Sequence, residues 1–189
     1  MDKDIIKFLF ELGQLKRIKN SGFRLIGIDN PASVGAHSLR AAQIGYMLAK
    51  MEKYANPVKI CAMLVFHDIG ECRTGDINRV ENRYIEVKEE EAVKQQLEPL
   101  GELGKEIFEL WEKSEEKESI EGMIAKDADM LEHSLTAKEY VEQGFEYAQD
   151  WIDNSARCLR TASGRKLMEA MKQSNSNEWW QGLKKFKSI

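Results

Sequence analysis

The stretch VKICAMLVFHD, residues 58–68, is the most apolar segment of the chain, broken only by Lys59 before an imidazole and a carboxylate stand side by side. Ahead of it, Asn56-Pro57 forms a helix start, a cap residue followed by proline at the first helical position. Gly70 lies where a C-terminal cap would sit, so the spacing predicts a helix ending just after Asp68. That helix is apolar nearly all round, which places it at the buried centre of a bundle. Burying an unpaired carboxylate is costly, so Asp68 has to be neutralised, hydrogen-bonded or bound to a metal. With His67 beside it, a metal is the most economical of the three.

Outward from this segment the pattern stays helical. Ile5, Ile6, Leu9, Leu12 and Leu15 form the stripe of a first amphipathic helix, which gives way to a loop around Asn20-Ser21-Gly22. Ser33 is the expected N-cap of a helix running to about residue 51. A charged helix follows over about 84–97, a shorter one over about 103–113, and a long one over about 119–143 with Met123, Ile124, Ala128, Leu131 and Leu135 facing inward. Residues 156–173 and the tail with Trp179-Trp180 read as further helix. No strand, repeat or linker is visible, so the expected fold is all-α, a single-domain helical bundle over residues 1–189.

The 189 residues are 42% hydrophobic and 32% charged, the composition of a globular protein. A net charge of −4 offers no general attraction to phosphate backbones, which disfavours extended nucleic acid. A small anionic ligand held by local cations stays compatible. The longest uninterrupted apolar run, residues 61–66, is far short of a membrane span, and the acidic N-terminus is not a signal peptide. Three cysteines without CxxC spacing fit a reduced, cytoplasmic protein.

His37 falls in the first turn of its helix, where the helix dipole disfavours protonation and keeps the ring able to ligate. His67 and Asp68 leave their helix about 100° apart, close enough to converge on one ion. Asp129 can complete the set from the opposite wall, with Asp127 as its competitor. Those two lie about 200° apart on one helix and cannot both face the metal. Two His and two Asp suit one divalent Mn, Co, Fe, Ni or Zn ion with open positions, without choosing among them. His133, one turn past Asp129, is expected to be packed or hydrogen-bonded rather than a fifth ligand.

The order His37…His67-Asp68…Asp129 resembles the HD-domain metal-dependent phosphohydrolase superfamily. FHDIGECRTGDI (66–77) is more closely similar to its 5′-deoxynucleotidase, HDDC2-like branch. That branch carries a first His in a context like SVxxHS, matched by SVGAHS (33–38), then HDxxE, TGD, and a late K-x-x-D matched by KDAD (126–129). The likeness covers roughly residues 5–145 and leaves 146–189 as a C-terminal helical extension. It implies His37, His67, Asp68 and Asp129 as metal ligands, Asp127 as a solvated neighbour, and Glu71 and Asp76 as catalytic carboxylates. It also implies a phosphohydrolase that releases phosphate from a (deoxy)nucleoside 5′-monophosphate or similar small monoester, working as a homodimer. Glu71 and Asp76 are then expected to divide acid–base work and water positioning. Arg73, Arg79, Arg83, Lys88, Lys126, Arg17, Lys19 and Arg24 are the candidate cations for the phosphate. Three positions depart from the family, which often has Arg near Asn20 and acidic residues near Ala32 and Ala36.

Other functions fit less well. A nucleotide tri- or pyrophosphohydrolase or a cyclic-nucleotide phosphodiesterase differs only in its product. A di-iron or two-metal site needs more than the three histidines present. A non-catalytic, metal-containing binding domain would not need two carboxylates directly after the ligand pair. Elsewhere, EVKEEEAVK (86–94) reads as a solvent-facing helix with a Glu90–Lys94 pair, and EKSEEKES (112–119) as a connecting loop. Cys72 reads as an unreactive thiol. Trp179-Trp180 with Lys184, Lys185 and Lys187 reads as a packed helix or subunit contact rather than a membrane-surface helix.

Overall fold

The computed structural model describes residues 2–184. Among them are α1 (Asp2–Leu12), α2 (Ser21–Arg24), α3 (Val34–Met51), α4 (Pro57–Phe66), α5 (Glu71–Thr74) and α6 (Glu89–Leu97). They are followed by α7 (Glu102–Glu115), α8 (Ile120–Glu142), α9 (Gln149–Cys158), α10 (Ala162–Gln173) and α11 (Glu178–Gln181). The described residues hold no strand beyond one isolated bridge between Lys19 and Ser33, so the all-α expectation holds.

Three long helices start on side-chain caps, each contributing about 1 kcal/mol. Ser33 Oγ accepts the Ala36 N–H at 3.2 Å to open α3, and Asn56 Oδ1 accepts the Lys59 N–H at 3.1 Å to open α4 behind Pro57. Ser119 Oγ accepts the Gly122 N–H at 3.0 Å to open α8. α3 and α4 lie side by side, drawn close because a side chain at Gly45 would collide with Leu64. The centre of the bundle is α8 rather than α4: α3, α4, α7, α9 and α10 all pack on it. Val58 and Val65 on α4 are 66% and 45% exposed. An apolar residue on every side of a short helix does not reveal that one face has been left uncovered.

Apolar side chains gather into two clusters, one holding Phe23, Leu48, Met63, Leu64 and Ile124, the other Phe8, Ile69, Val93, Leu97 and Trp111. α4 stops at Phe66, earlier than the sequence predicts, and residues 67–70 form a turn that carries the chain from the first cluster to the second. Gly70 does not end a helix in a left-handed conformation. Its φ is −57°, and a Cβ there would lie 2.5 Å from Glu89 Cγ, so glycine is required by close approach. The His-Asp pair is thus clamped by packing before it and after it.

Other boundaries shift for local reasons. The segment around 20–22 opens a short helix, α6 begins only at Glu89, and α7 runs through the first half of the expected 112–119 loop. The helix expected over 156–173 is split at residues 159–161, where Asp127 takes up the free backbone N–H groups of Arg160 and Thr161. Ile152, Leu159, Met168 and Met171, all past residue 145, belong to the first cluster. Glu90 and Lys94 pair at 2.5 Å as expected. Trp179 is exposed, while the Trp180 indole donates to Asn177 Oδ1 at 3.2 Å; Lys185 and Lys187 lie outside the described residues. No described helix is long and apolar enough to cross a membrane.

Candidate metal centre

Three stretches meet at one point. The first turn of α3 brings His37, the turn after α4 brings His67 and Asp68, and the middle of α8 brings Asp129. His37 Nε2 lies 3.3 Å from His67 Nε2, 3.3 Å from Asp129 Oδ1 and 3.6 Å from Asp68 Oδ2. His67 Nε2 lies 3.2 Å from Asp68 Oδ2. The four predicted ligands thus meet around His37, which two overlapping groups share: His67 and Asp68 on one side, Asp129 and His133 on the other.

The ring protonation follows from the partners. His67 Nδ1 faces the Leu64 carbonyl at 2.9 Å, and His37 Nδ1 faces Glu132 Oε2 at 2.5 Å, so each Nδ1 carries the donated hydrogen. Each Nε2 is left as a lone pair, and the two point at each other among carboxylate oxygens. A cation reconciles acceptors at such distances. Ligand bonds of about 2.0–2.2 Å at angles near 90–110° give donor separations of about 3.0–3.5 Å, the range of the His37–His67, His67–Asp68 and His37–Asp129 separations, so the donor set suits a divalent ion.

Without a metal the cation is a proton. Burial pulls the His37 imidazole pKa down, but the bonds to Asp129 and Glu132 and the charges of Asp68 and Asp129 outweigh it and hold the pKa well above its ordinary value. In the metal-free protein three carboxylates, Asp68, Asp129 and Glu132, thus outweigh the helix N-terminus expected to keep this ring neutral. Burial raises the Asp129 pKa, yet Lys126, His133 and His37 together hold it well below the usual range.

Glu132 is the residue that sequence reasoning missed. It is buried, orients His37 from behind, and is itself held by Arg40 Nε at 2.9 Å and the Thr136 hydroxyl at 3.0 Å. Arg40 also reaches Glu139 at 2.6 Å. A carboxylate backing an imidazole in this way fixes its orientation and raises its basicity toward a metal. The signal available was its spacing, one turn from Asp129 on α8, with Arg40 one turn from His37 on α3. His133 takes the expected hydrogen-bonded role. Its Nδ1 donates to the Asp129 carbonyl at 3.1 Å and its ring lies 4.2 Å from that of His37. It is also close enough to join His37 and Asp129 in a second possible ligand group.

Glu71 and Asp76 lie in the same field. Burial first, then Asp68, Asp76 and Glu89, push the Glu71 carboxyl up to about 10, and its Oε2 is buried without a hydrogen-bond partner among the described residues. Burial also raises Asp76, whose Oδ2 accepts the Ser21 N–H at 2.5 Å. Glu89 departs from the solvent-facing reading of its run: half-buried against Gly70, it is pushed up to about 7 by burial and by Asp68. Burial, with Glu11, moves the Cys72 thiol up to about 11, so it stays protonated and unreactive at neutral pH.

A cavity of about 460 Å³ opens beside Asp129, within the range of small-ligand sites. Of the eight candidate cations, Lys126 and Arg79 line it. Lys126 Nζ sits 2.6 Å from Asp129 Oδ2, whereas Arg73 is turned away onto Glu11 at 2.5 Å. Asn20 is buried in the cavity wall with its amide 3.5 Å from His133 Nε2. Asp127 is not solvated. It is buried and accepts from the Arg160 N–H at 2.9 Å, the Thr161 N–H at 2.8 Å and the Thr161 hydroxyl at 2.6 Å.

An all-α chain that gathers imidazoles and carboxylates around His37 defines a helical protein with a candidate metal site. Residues 12–171 match the HD domain family, and the chain belongs to that family. The match runs past residue 145 and takes in α9 and nearly all of α10. Among curated proteins, the chain is 35% identical to 5′-deoxynucleotidase HDDC2 of Bos taurus, over 82% of this chain and 77% of that one. It is 36% identical to the Homo sapiens protein of the same name, over 82% and 78%. Among solved structures it is similar to a conserved hypothetical protein from Pyrococcus furiosus, with TM-score 0.73 and 27% identity over 89% of this chain and 99% of that one.

Proposed function

We propose that this protein is a metal-dependent phosphohydrolase that releases phosphate from (deoxy)nucleoside 5′-monophosphates. The observation that carries the reading is the pair of Nε2 lone pairs facing two carboxylates, each imidazole fixed by a hydrogen bond from its far nitrogen. The HDDC2 relatives named as 5′-deoxynucleotidases support the substrate class.

His37, His67, Asp68 and Asp129 hold one divalent ion, with manganese, cobalt, iron, nickel and zinc all compatible with the donor set. When bound, such an ion would supply positive charge for the phosphoryl oxygens and lower the pKa of water. Lys126 and Arg79, on the cavity wall, add charge for the phosphate. Glu71, held protonated by burial and its acidic neighbours, carries the proton that the leaving alkoxide needs. Asp76, anchored on the Ser21 amide, orients water and substrate. The chain acts as one domain over residues 1–189 and pairs as a homodimer. Its three free cysteines support a reducing, cytoplasmic setting.

The test is release of inorganic phosphate from a panel of nucleoside monophosphates with each divalent metal. Asp68→Ala should lower release by about a thousandfold or more while the protein stays folded by circular dichroism. If metal-loaded protein releases no phosphate from the panel, the reading fails.

A further inference from the structure

The cavity has two unlike ends. At one stand Asp129 and Lys126, paired at 2.6 Å, and Arg79 also lines the cavity. At the other, α9 contributes Asp150, Trp151 and Asn154. A wall of rings connects them: His133 stacks on Phe23 at 6.4 Å between centroids, and Phe23 on Trp151 at 4.9 Å and 25°. Phe23 is fully buried, so it fixes one side of the indole. Gly22 makes room beside it, since a Cβ there would lie 3.3 Å from Trp151 Cζ2. The rest of the half-buried Trp151 faces the cavity. Neither its indole N–H nor the Asp150 carboxylate has a hydrogen-bond partner among the described residues.

We propose that α9 is the nucleobase subsite of this cavity, with Trp151 covering the face of the base and Asp150 accepting from its edge. The inference rests on the nucleotide reading above. A nucleoside monophosphate has the matching polarity, an anionic group at one end and a flat, donor-bearing ring at the other. A carboxylate only accepts, so Asp150 favours bases that present an amino group (adenine, cytosine, guanine) over thymine and uracil, whose ring N–H is flanked by two carbonyls.

The experiment compares dAMP, dCMP, dGMP and dTMP with 2-deoxyribose 5-phosphate, which lacks a base. Phosphate release and calorimetric binding are both measured on manganese-loaded protein. Trp151→Ala should reduce the nucleotide-to-sugar-phosphate ratio of kcat/KM about tenfold, the scale of one base–aromatic stack, chiefly through KM. Asp150→Asn should narrow the preference for dCMP over dTMP roughly fivefold, the scale of one hydrogen bond. Trp151 rests on the core, so Trp151→Leu and a melting curve accompany the alanine variant. If both Trp151 variants fail to fold, the exposed Asp150→Asn decides alone. Unchanged ratios in folded variants, or wild-type protein that binds the sugar phosphate as tightly as the nucleotides, would overturn the subsite while leaving the hydrolase reading intact. Tighter binding of nucleotides without phosphate release would support the subsite and sink the hydrolase reading instead.

Discussion

Asp127 and Asp129 sit two residues apart on α8, both buried, and they are opposites. Asp127 meets three donors, two backbone N–H groups and a hydroxyl, all from residues 160–161. Asp129 meets Lys126 at 2.6 Å, and its other oxygen faces His37 Nε2 at 3.3 Å and His133 Nδ1 at 3.1 Å, both on rings of the candidate metal groups. One carboxylate is served by two backbone N–H groups and a hydroxyl; the other is served by a lysine and two imidazoles, groups with which a metal ion would compete. A buried charge held by fixed backbone donors holds a fold together, and one held among titratable rings marks a candidate site.

Exchanging each for alanine should separate the two roles. Asp129→Ala should abolish metal uptake and lower phosphate release by about a thousandfold or more. Asp127→Ala should bind metal but lose about 3 kcal/mol of stability, because the N–H groups of Arg160 and Thr161 are left buried or strained. That loss corresponds to roughly 6–12 °C in Tm for a chain of this size. Urea denaturation and metal titration on both variants check it. A stable Asp127→Ala protein without metal affinity would reverse the assignment.

The same contrast explains what the sequence could tell. The motif selects which of the two aspartates is the proposed ligand, because K-x-x-D has a register, and helical periodicity puts the other on the far side. Nothing local says whether that far side meets water or another helix. Asp127 reads as solvated because its partners lie more than thirty positions away, in a segment that reads as unbroken helix. Glu132 is hidden for a related reason: its meaning depends on His37, which lies 95 residues earlier. Caps are local, and Ser33, Asn56 and Ser119 are legible for that reason. The centre of the bundle is not, because the apolar content of α4 cannot report how many neighbours it finds.

Glu132→Gln sharpens the comparison on the functional side. The amide oxygen can still accept from His37 Nδ1, but the charge that opposes Arg40 and raises the basicity of the ring is gone. Metal affinity should fall about 10–100-fold. The pH dependence follows from the raised His37 pKa. In metal-free protein, the stability contributed by protonated His37 is full below the ring's ordinary pKa and is lost as pH rises through the higher folded value. Metal must displace that proton, so uptake should strengthen as pH rises. In Glu132→Gln the midpoint of this rise should move to lower pH, because one of the groups holding the proton has lost its charge. Chelator competition across a pH series measures both. An unchanged midpoint would mean that Glu132 does not govern the ring.

Ser33→Ala should have the smallest effect and should fall on the structural side, although Ser33 is only four residues from a proposed ligand. The hydroxyl caps α3 by accepting the Ala36 N–H, and losing it should cost about 1 kcal/mol in urea denaturation. The position of His37 depends on other contacts. Its backbone N–H bonds the Ser33 carbonyl at 3.0 Å, which alanine keeps, and the Val34 N–H bonds the Ile18 carbonyl at 3.0 Å, which holds the helix start against the preceding segment. The ring itself is fixed by Glu132 from the far side of the bundle. Ser33→Ala should therefore show no loss of metal affinity comparable to that of Glu132→Gln. A comparable loss would mean that the cap, rather than the buried carboxylate network, sets the geometry of the centre.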